Sequence, residues 1–314
     1  MYKKNNRFGN IKYLRFMIEL GRHVVENQIK DKRFVDYCIG LFPQLSSKNA
    51  VKKALKRKEL VINDQIGESQ IWVKKSDVIL LIDNETSLPR PFPLKIDIIY
   101  EDEFFVVIDK PSGIVVNGNQ FRTVENAMIG KTRVSTELDA FKWAKPVHRL
   151  DAATSGLLIM SKTLAVHQQM AKMFEERKIE KTYHAIIMGE LNPEKGVIND
   201  LVNGLPAETG YSLIKSVASL RSGFISLIKL IPKTGRTHQL RIHCAGMGNP
   251  ILGDKLYGEN GNVLLHKGLF LVATELNFIH PILKTDVNIK IECPIKFESH
   301  LRKEYLRWNK FKAL

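Results

Sequence analysis

Pro146-Val147-His148-Arg149-Leu150-Asp151-Ala152-Ala153-Thr154-Ser155-Gly156-Leu157-Leu158-Ile159-Met160 reads as a short strand, a carboxylate, a loop of small residues ending in glycine, and a strongly apolar strand. A carboxylate at a strand end, beside a loop too small to obstruct it, can meet a ligand while rigid flanks hold it still. A lone Asp in such a place more often caps its turn. Asp151 therefore needs partners elsewhere in the chain before chemistry can be assigned to it.

Two further runs supply candidates. In Pro232-Lys233-Thr234-Gly235-Arg236-Thr237-His238-Gln239-Leu240-Arg241-Ile242-His243-Cys244-Ala245-Gly246-Met247-Gly248, Thr237 suits an N-cap and Gly246 or Gly248 a stop, which predicts a helix over 237–245. On it His238 and Arg241 share a face, whereas His238 and His243 do not, which disfavours a zinc site of the H-x-x-x-H kind. One Arg there can meet a carboxylate or phosphate; the plain alternative is a basic surface helix. Lys181-Thr182-Tyr183-His184-Ala185-Ile186-Ile187-Met188-Gly189 reads as a strand with a Tyr near its start, usually a packing residue.

Apolar, β-branched runs recur at 96–100, 104–108, 156–161, 183–188, 223–230 and 287–291. One helix is signalled over 163–177, with Leu164, His167, Met170, Met173 and Phe174 toward a core. Many strands, few helices and connections of mixed length predict an α+β fold rather than a doubly wound parallel sheet.

The 314 residues carry a formal net charge of +15. So basic a balance favours a polyanionic partner, nucleic acid or an acidic membrane surface. Residues 1–90 hold 18 Lys and Arg against 10 Asp and Glu, over half the excess in under a third of the chain. That asymmetry predicts a separate binding module. Residues 11–29 mix apolar and charged side chains at helical spacing, so 1–30 is expected to be a helical extension. Ser46 is the expected N-cap of a helix running to Lys58. Lys48, Lys52, Lys53, Lys56 and Arg57 fall on one face of it with no acid among them, and Ala50, Val51, Ala54 and Leu55 on the other. Leu60–Asp64, Ile71–Val73 and Val78–Leu81 follow as short strands. Pro89, Pro91 and Pro93 then mark a linker. The expected division is 1–30, 31–90 and 91–314.

No apolar run approaches the roughly 18–20 residues that span a bilayer, and no continuous apolar segment follows the basic N-terminus. A cytoplasmic protein is expected. Cys38, Cys244 and Cys293 form no C-x-x-C pair, so neither a disulfide framework nor a zinc site is indicated.

Leu45-Ser46-Ser47-Lys48, the basic helix, Leu60-Val61-Ile62-Asn63 and Lys75-Ser76-Asp77-Val78-Ile79 resemble the small RNA-binding module of ribosomal protein S-four, over about residues 31–82. Glu59, Asp64 and Ser76 stand where that family usually has glycine. Downstream, Asp109-Lys110-Pro111-Ser112-Gly113, His148-Arg149-Leu150-Asp151 with Thr154-Ser155-Gly156, Lys181-x-Tyr183, Gly235-Arg236-Thr237-His238-Gln239-Leu240-Arg241 and Gly248-x-Pro250-Ile251-x-Gly253-Asp254 resemble, in order, the motifs of the RluA-type pseudouridine synthases. The match spans about 95–295. Asp109 stands where Asn is common, and Ala152 where a charged or larger side chain is often found.

The resemblance implies a catalytic domain built on a mostly antiparallel mixed sheet with few helices. It also implies the reaction, isomerisation of uridines in structured RNA with no metal, redox cofactor or nucleoside triphosphate. Residue by residue, it makes Asp151 the catalytic carboxylate, Arg241 its cationic partner and Tyr183 the aromatic under the target base. Arg149 would fill the space that a flipped nucleotide leaves, and Lys110 and Arg236 would contact RNA. The five helix cations would supply affinity for backbone phosphates. A monomer acting on ribosomal RNA, more than on transfer RNA, is the expectation, because S-four-like modules accompany large-subunit enzymes of this kind.

Two other readings are open to such a chain. A non-catalytic RNA-binding or ribosome-assembly factor could retain the fold, but Asp151, Tyr183 and Arg241 are all present. A glycosidase would need a second carboxylate flanking the bond, and none stands out near the motifs. Membrane association is disfavoured because the cationic helix lacks a broad aromatic-rich apolar face.

Overall fold

The computed structural model describes residues 18–26, 32–83, 90–258 and 267–312. The chain divides into two compact units, Met1–Arg90 and Pro91–Leu314.

In the first unit β1 (Ile18–Val24), β2 (Leu60–Ile62), β3 (Gln65–Ile66) and β4 (Val78–Asp83) form an antiparallel sheet in the order β1-β4-β2-β3. Helices α1 (Phe34–Tyr37) and α2 (Lys48–Lys56) pack on it through Phe34, Val35, Val51, Ala54 and Leu55, against Leu60, Ile79 and Leu81. Ser47, not Ser46, caps α2. Its backbone is extended and its Oγ accepts from the Ala50 amide at 3.2 Å, whereas Ser46 is already helical at the end of a 3-10 turn.

Two further expectations change here. Residues 18–24, assigned to a helical extension, pair as β1 along β4. On β1 the apolar Leu20 and Val24 face outward while Gly21 and His23 face inward, so its hydrophobicity misleads. Gly21 is needed there because a Cβ would lie 2.7 Å from the Phe42 ring. The rest of that extension, residues 1–17 and 27–30, lies outside the described residues, as do linker residues 84–89. Ile71–Val73 is no strand; Trp72 makes one isolated bridge to Arg33, whose guanidinium lies over its ring. Asp64 and Ser76, in place of glycine, take left-handed backbone at φ 64° and 71°.

The second unit holds β5 (Asp97–Glu101), β6 (Phe105–Lys110), β7 (Ala140–Pro146), β8 (Ser155–Thr163), β9 (Glu180–Met188), β10 (Lys195–Ile198), β11 (Thr209–Ser219), β12 (Gly223–Pro232), β13 (Leu271–Ile279) and β14 (Asp286–Lys290). Its helices are α3 (Val124–Ala127), α4 (Leu164–Glu175), α5 (Gln239–Gly246) and α6 (Ile295–Lys312). The strands make one sheet, β10-β11-β12-β9-β13-β8-β6-β5, with β14 on β13 and β7 on β8. Among the described residues only β8 and β13 run parallel. The expected α+β class, a mostly antiparallel mixed sheet with few helices, is what is found.

Strand β8 explains its own composition. Leu158 and Met160 pack with Ile108, Ala144 and Leu150 on one face; Leu157 and Ile159 pack with Phe105, Val166 and Met170 on the other. A strand buried on both sides reads as a continuous apolar run rather than an alternating one. Thr163 caps α4 by accepting from the Val166 amide. Helix α5 begins at Gln239, two residues beyond the expected Thr237, because His238 is left-handed at φ 60°. The Gln239 carboxamide instead ties the preceding loop, accepting from Thr234 Oγ1 at 2.6 Å and the Arg236 amide at 3.1 Å.

Two features fasten the Asp151 loop to this sheet. Gly156 sits at φ 109° where β8 meets β13, and a Cβ there would lie 2.1 Å from the Ala273 carbonyl oxygen. His148 Nε2 accepts the Ile159 amide at 3.0 Å, and its ring lies on Phe174. Burial, and secondarily Lys181, pushes its pKa down to about 3.

Gly156→Ala is expected to lower stability by about 2–4 kcal/mol, read from denaturant unfolding. An unchanged midpoint would show that the two strands can part to admit a methyl. The folded pKa of His148 lies below the ordinary 6.5, so its neutral form stabilises the fold fully above pH 6.5. That contribution is lost as pH falls from there toward 3. The stability gap between wild type and His148→Gln should therefore narrow from pH 7 to pH 4; a constant gap would refute the assignment.

Candidate active site

A cleft of about 580 Å³ opens on one face of the second unit's sheet. The loop after β7 brings Arg149 and Asp151, β9 brings Lys181 and Tyr183, and the end of β12 with α5 brings Lys233, Arg236, His238 and Arg241. Five sequence candidates, Asp151, Tyr183, Arg241, Arg149 and Arg236, thus meet in one cavity, though they are spread over some ninety residues of chain.

Asp151 is half-buried. Its Oδ2 stands 4.0 Å from Arg241 Nη1, and its Oδ1 3.8 Å from His238 Nε2. Arg241 is held from behind: its Nε and Nη2 each donate at 2.7 Å to the two oxygens of Asp254. Asp254 also accepts from the amides of Leu256 and Tyr257. Burial alone would raise the Asp254 carboxyl, but Arg241 and the two amides outweigh it and hold it below the ordinary range. A fork-to-fork pair fixes the guanidinium plane as well as its charge, and so aims Nη1 at Asp151. Tyr257 closes the ring, with its hydroxyl 2.9 Å from His238 Nδ1 and its face 5.1 Å from the Arg241 guanidinium.

Tyr183 is half-buried, packed against both Ala273 and Leu271 neighbourhoods of the core. Burial raises its phenol pKa, and the Asp151 charge raises it further, so it stays protonated through the neutral range. The cleft lining is cationic. Arg149, Arg177, Lys181, Lys233, Arg236 and Arg241 face two acids, Asp151 and Glu175. Such a wall draws in a polyanion.

Lys110 is not among them. Expected to touch phosphate, it is fully buried below the loop, its Nζ donating to the carbonyls of Thr154 at 2.7 Å, Pro111 at 2.9 Å and Ala152 at 3.3 Å. Burial pushes its pKa down to about 8. It shapes the Asp151 loop from beneath rather than meeting solvent. In the first unit, Lys52, Lys53 and Lys56 are exposed on α2 as expected, but the face is not free of acid. Asp36 pairs with Lys48 at 2.7 Å, and Glu59 clasps Arg57 through both oxygens. Both acids lie outside the helix and reach it only through folding.

Asp254, Tyr257 and the placement of His238 were not assigned roles by residue spacing. One signal was present in Gly253-Asp254. Gly253 is at φ 81°, and a Cβ there would lie 2.1 Å from the Gly268 oxygen, a crowded turn that delivers the carboxylate under Arg241. Among the described residues no group of three or more His, Cys, Asp and Glu is arranged to hold a metal ion, and no helix is long and apolar enough to cross a membrane.

The sequence profile described as RNA pseudouridylate synthase matches residues 104–246. The dual-specificity RNA pseudouridine synthase RluA of Haemophilus influenzae is 35% identical over 208 residues, which cover 61% of this chain and 90% of that protein. The ribosomal large subunit pseudouridine synthase C of Rickettsia bellii is 30% identical over 297 residues, covering 84% and 95%. Human RNA pseudouridylate synthase domain containing 1 shares the fold, with a TM-score of 0.53 at 22% identity over 65% of this chain and 86% of that one. By motif order, by fold and by these relatives, the chain belongs to the RluA-type family of RNA pseudouridine synthases.

Proposed function

We propose that Asp151 is the catalytic carboxylate of this uridine isomerase, that Arg241 is its cationic partner, and that Tyr183 and Arg149 manage the displaced base. The observation that carries this is the geometry of Asp151. It is half-buried in a cationic cleft, with a guanidinium 4.0 Å away that is itself clamped by Asp254. A cation fixed at that distance meets the carboxylate's charge inside the cleft.

The reaction breaks the bond between uracil N1 and the ribose anomeric carbon, turns the base, and joins C5 to that carbon. The proton leaves C5 and N1 regains one, so no atom is gained or lost. An ionised Asp151 can assist cleavage and then take part in moving the C5 proton. Tyr183, held as the neutral phenol, suits a stacking platform better than a base. Extracting the nucleotide costs a few kcal/mol, offset by that stacking and by phosphate contacts from the basic wall, Arg236 included. Arg149, exposed at the cleft mouth, is placed to fill the gap in the RNA stack.

Residues 31–82 act in this reading as an S-four-like module that supplies sequence-tolerant affinity through Lys52, Lys53 and Lys56. Left-handed Asp64 and Ser76 support it, since they take up the backbone that glycine provides in that family. Ribosomal RNA is the favoured substrate: the Rickettsia bellii relative is a ribosomal large subunit enzyme by name and aligns over 84% of this chain. The protein acts as a monomer in the cytoplasm.

Asp151→Asn should lower kcat at least about a thousandfold while RNA binding persists, measured by tritium release from 5-tritiated uridine in RNA. Turnover within tenfold of wild type would end the assignment. Replacing Lys52, Lys53 and Lys56 by Glu should raise KM about tenfold and flatten the salt dependence of binding by about two log units, at about 0.7 per lost phosphate contact, with kcat unchanged. A fall in kcat alone would place the first unit in the chemistry instead.

A further inference from the structure

On the opposite face of the second unit's sheet, the β11–β12 turn, the residues ahead of β13 and helix α6 enclose a groove of about 320 Å³. Lys296, His300, Lys303 and Arg307 reach it from α6 at i, i+4, i+7 and i+11, one helical face. Arg221 in the turn and Lys267 before β13 line its other wall. Among the described residues no carboxylate lines it. Glu304, on the same helix, is buried and accepts from Ser219 Oγ at 2.8 Å and from the groove's Arg307 at 2.9 Å, so Arg307 is already paired and the lysines carry the groove's remaining charge. Phe270, in the groove, packs with Phe297 and Leu301, whereas the next residue, Leu271, lines the Asp151 cleft and packs with Leu240. On β13 itself Val272 packs with Phe270 and Phe297 while its neighbour Leu271 packs with Leu240; neighbouring side chains of a strand point to opposite faces, so the sheet separates groove from cleft.

We propose that this groove is a second seat for the phosphodiester backbone of the RNA, outside the catalytic cleft. It rests on the isomerase reading only in taking RNA as the partner. Gathering so many like charges is self-repulsive unless a negative partner arrives. From Lys296 to Arg307 the helix advances about 16 Å, a span that suits a chain of phosphates rather than a single compact anion. Lys296 is preset, its Nζ donating to the Leu269 carbonyl at 3.0 Å and lying over the Phe270 ring at 4.8 Å. An RNA that occupies the cleft must pass around the sheet edge to reach the groove, so only a large folded RNA engages both.

The test is binding of the full chain to a hairpin of about 15 nucleotides and to a folded transcript of about 100 nucleotides, across a salt series. Lys267→Glu with Lys303→Glu should weaken transcript binding about tenfold and cut its salt slope by about 1.4 log units, two contacts at about 0.7 each. Hairpin affinity should stay within about twofold. Arg302→Glu with Lys290→Glu makes the same charge change on exposed residues away from the groove, and should leave transcript binding nearly unchanged. The milder Lys267→Gln with Lys303→Gln guards against misfolding and should give about a threefold loss. Unaltered transcript binding, an equal loss from the off-groove pair, or an equal loss on the hairpin would each overturn the proposal. So would binding to phosphatidylserine vesicles that depends on the groove while transcript binding does not. A chain that binds transcript through the groove yet converts no uridine would remove the catalytic assignment and leave this one standing.

Discussion

Arg241 is 5% exposed, and a guanidinium taken that far from water costs several kcal/mol unless opposing charge and hydrogen bonds meet it. Asp254 meets it with both oxygens and is itself held by two backbone amides. The rest of the cleft follows from that closed pair. The guanidinium keeps one nitrogen over, Nη1, and the clamp leaves it facing Asp151. Tyr257, the third residue after Asp254, lies under the guanidinium and orients His238. Removing Asp254 would leave a buried cation free to swing onto Asp151 at short range, turning a poised carboxylate into half of a static ion pair.

Much of this was legible in the chain because strand and loop chemistry is local. The apolar run Leu157–Met160 marks a strand buried on both faces, and ordered motifs located Asp151, Tyr183 and Arg241. What local patterns could not carry was partnership across distance. Lys110 reads as one more surface cation until the fold places three carbonyls around its ammonium. Arg57 and Lys48 read as unopposed until Glu59 and Asp36 arrive from outside the helix. Strand β1 was hidden because the side it buries carries Gly21 and His23, the side it exposes Leu20 and Val24, and its pairing with β4 spans more than fifty residues. Asp254 stood in a recognised motif, but nothing near it in the chain says that its partner is Arg241.

Charge is divided among surfaces with different tasks. The cleft sets its lysines and arginines around two carboxylates, Asp151 and Glu175. On the α2 face Asp36 and Glu59 pair with Lys48 and Arg57, and at the α6 groove Glu304 pairs with Arg307, leaving Lys52, Lys53 and Lys56 exposed on the first and Lys267 and Lys303 on the second. A protein with surplus charge on several faces meets its substrate by long-range attraction before any base is read.

Strand β13 has a further consequence. It lies between β9 and β8, so the strands that carry Asp151 and those that carry Tyr183 and Arg241 join one sheet only through it. Along the chain, Asp151, Tyr183 and Arg241 all precede β13, the strand that unites the two halves of the cleft. The alignment of Asp151 with Arg241 therefore depends on a strand that follows both in the chain. A single residue, Ala273, pairs with Gly156 on one side and Tyr183 on the other, so any slip of β13 along its neighbours would displace both walls of the cleft at once.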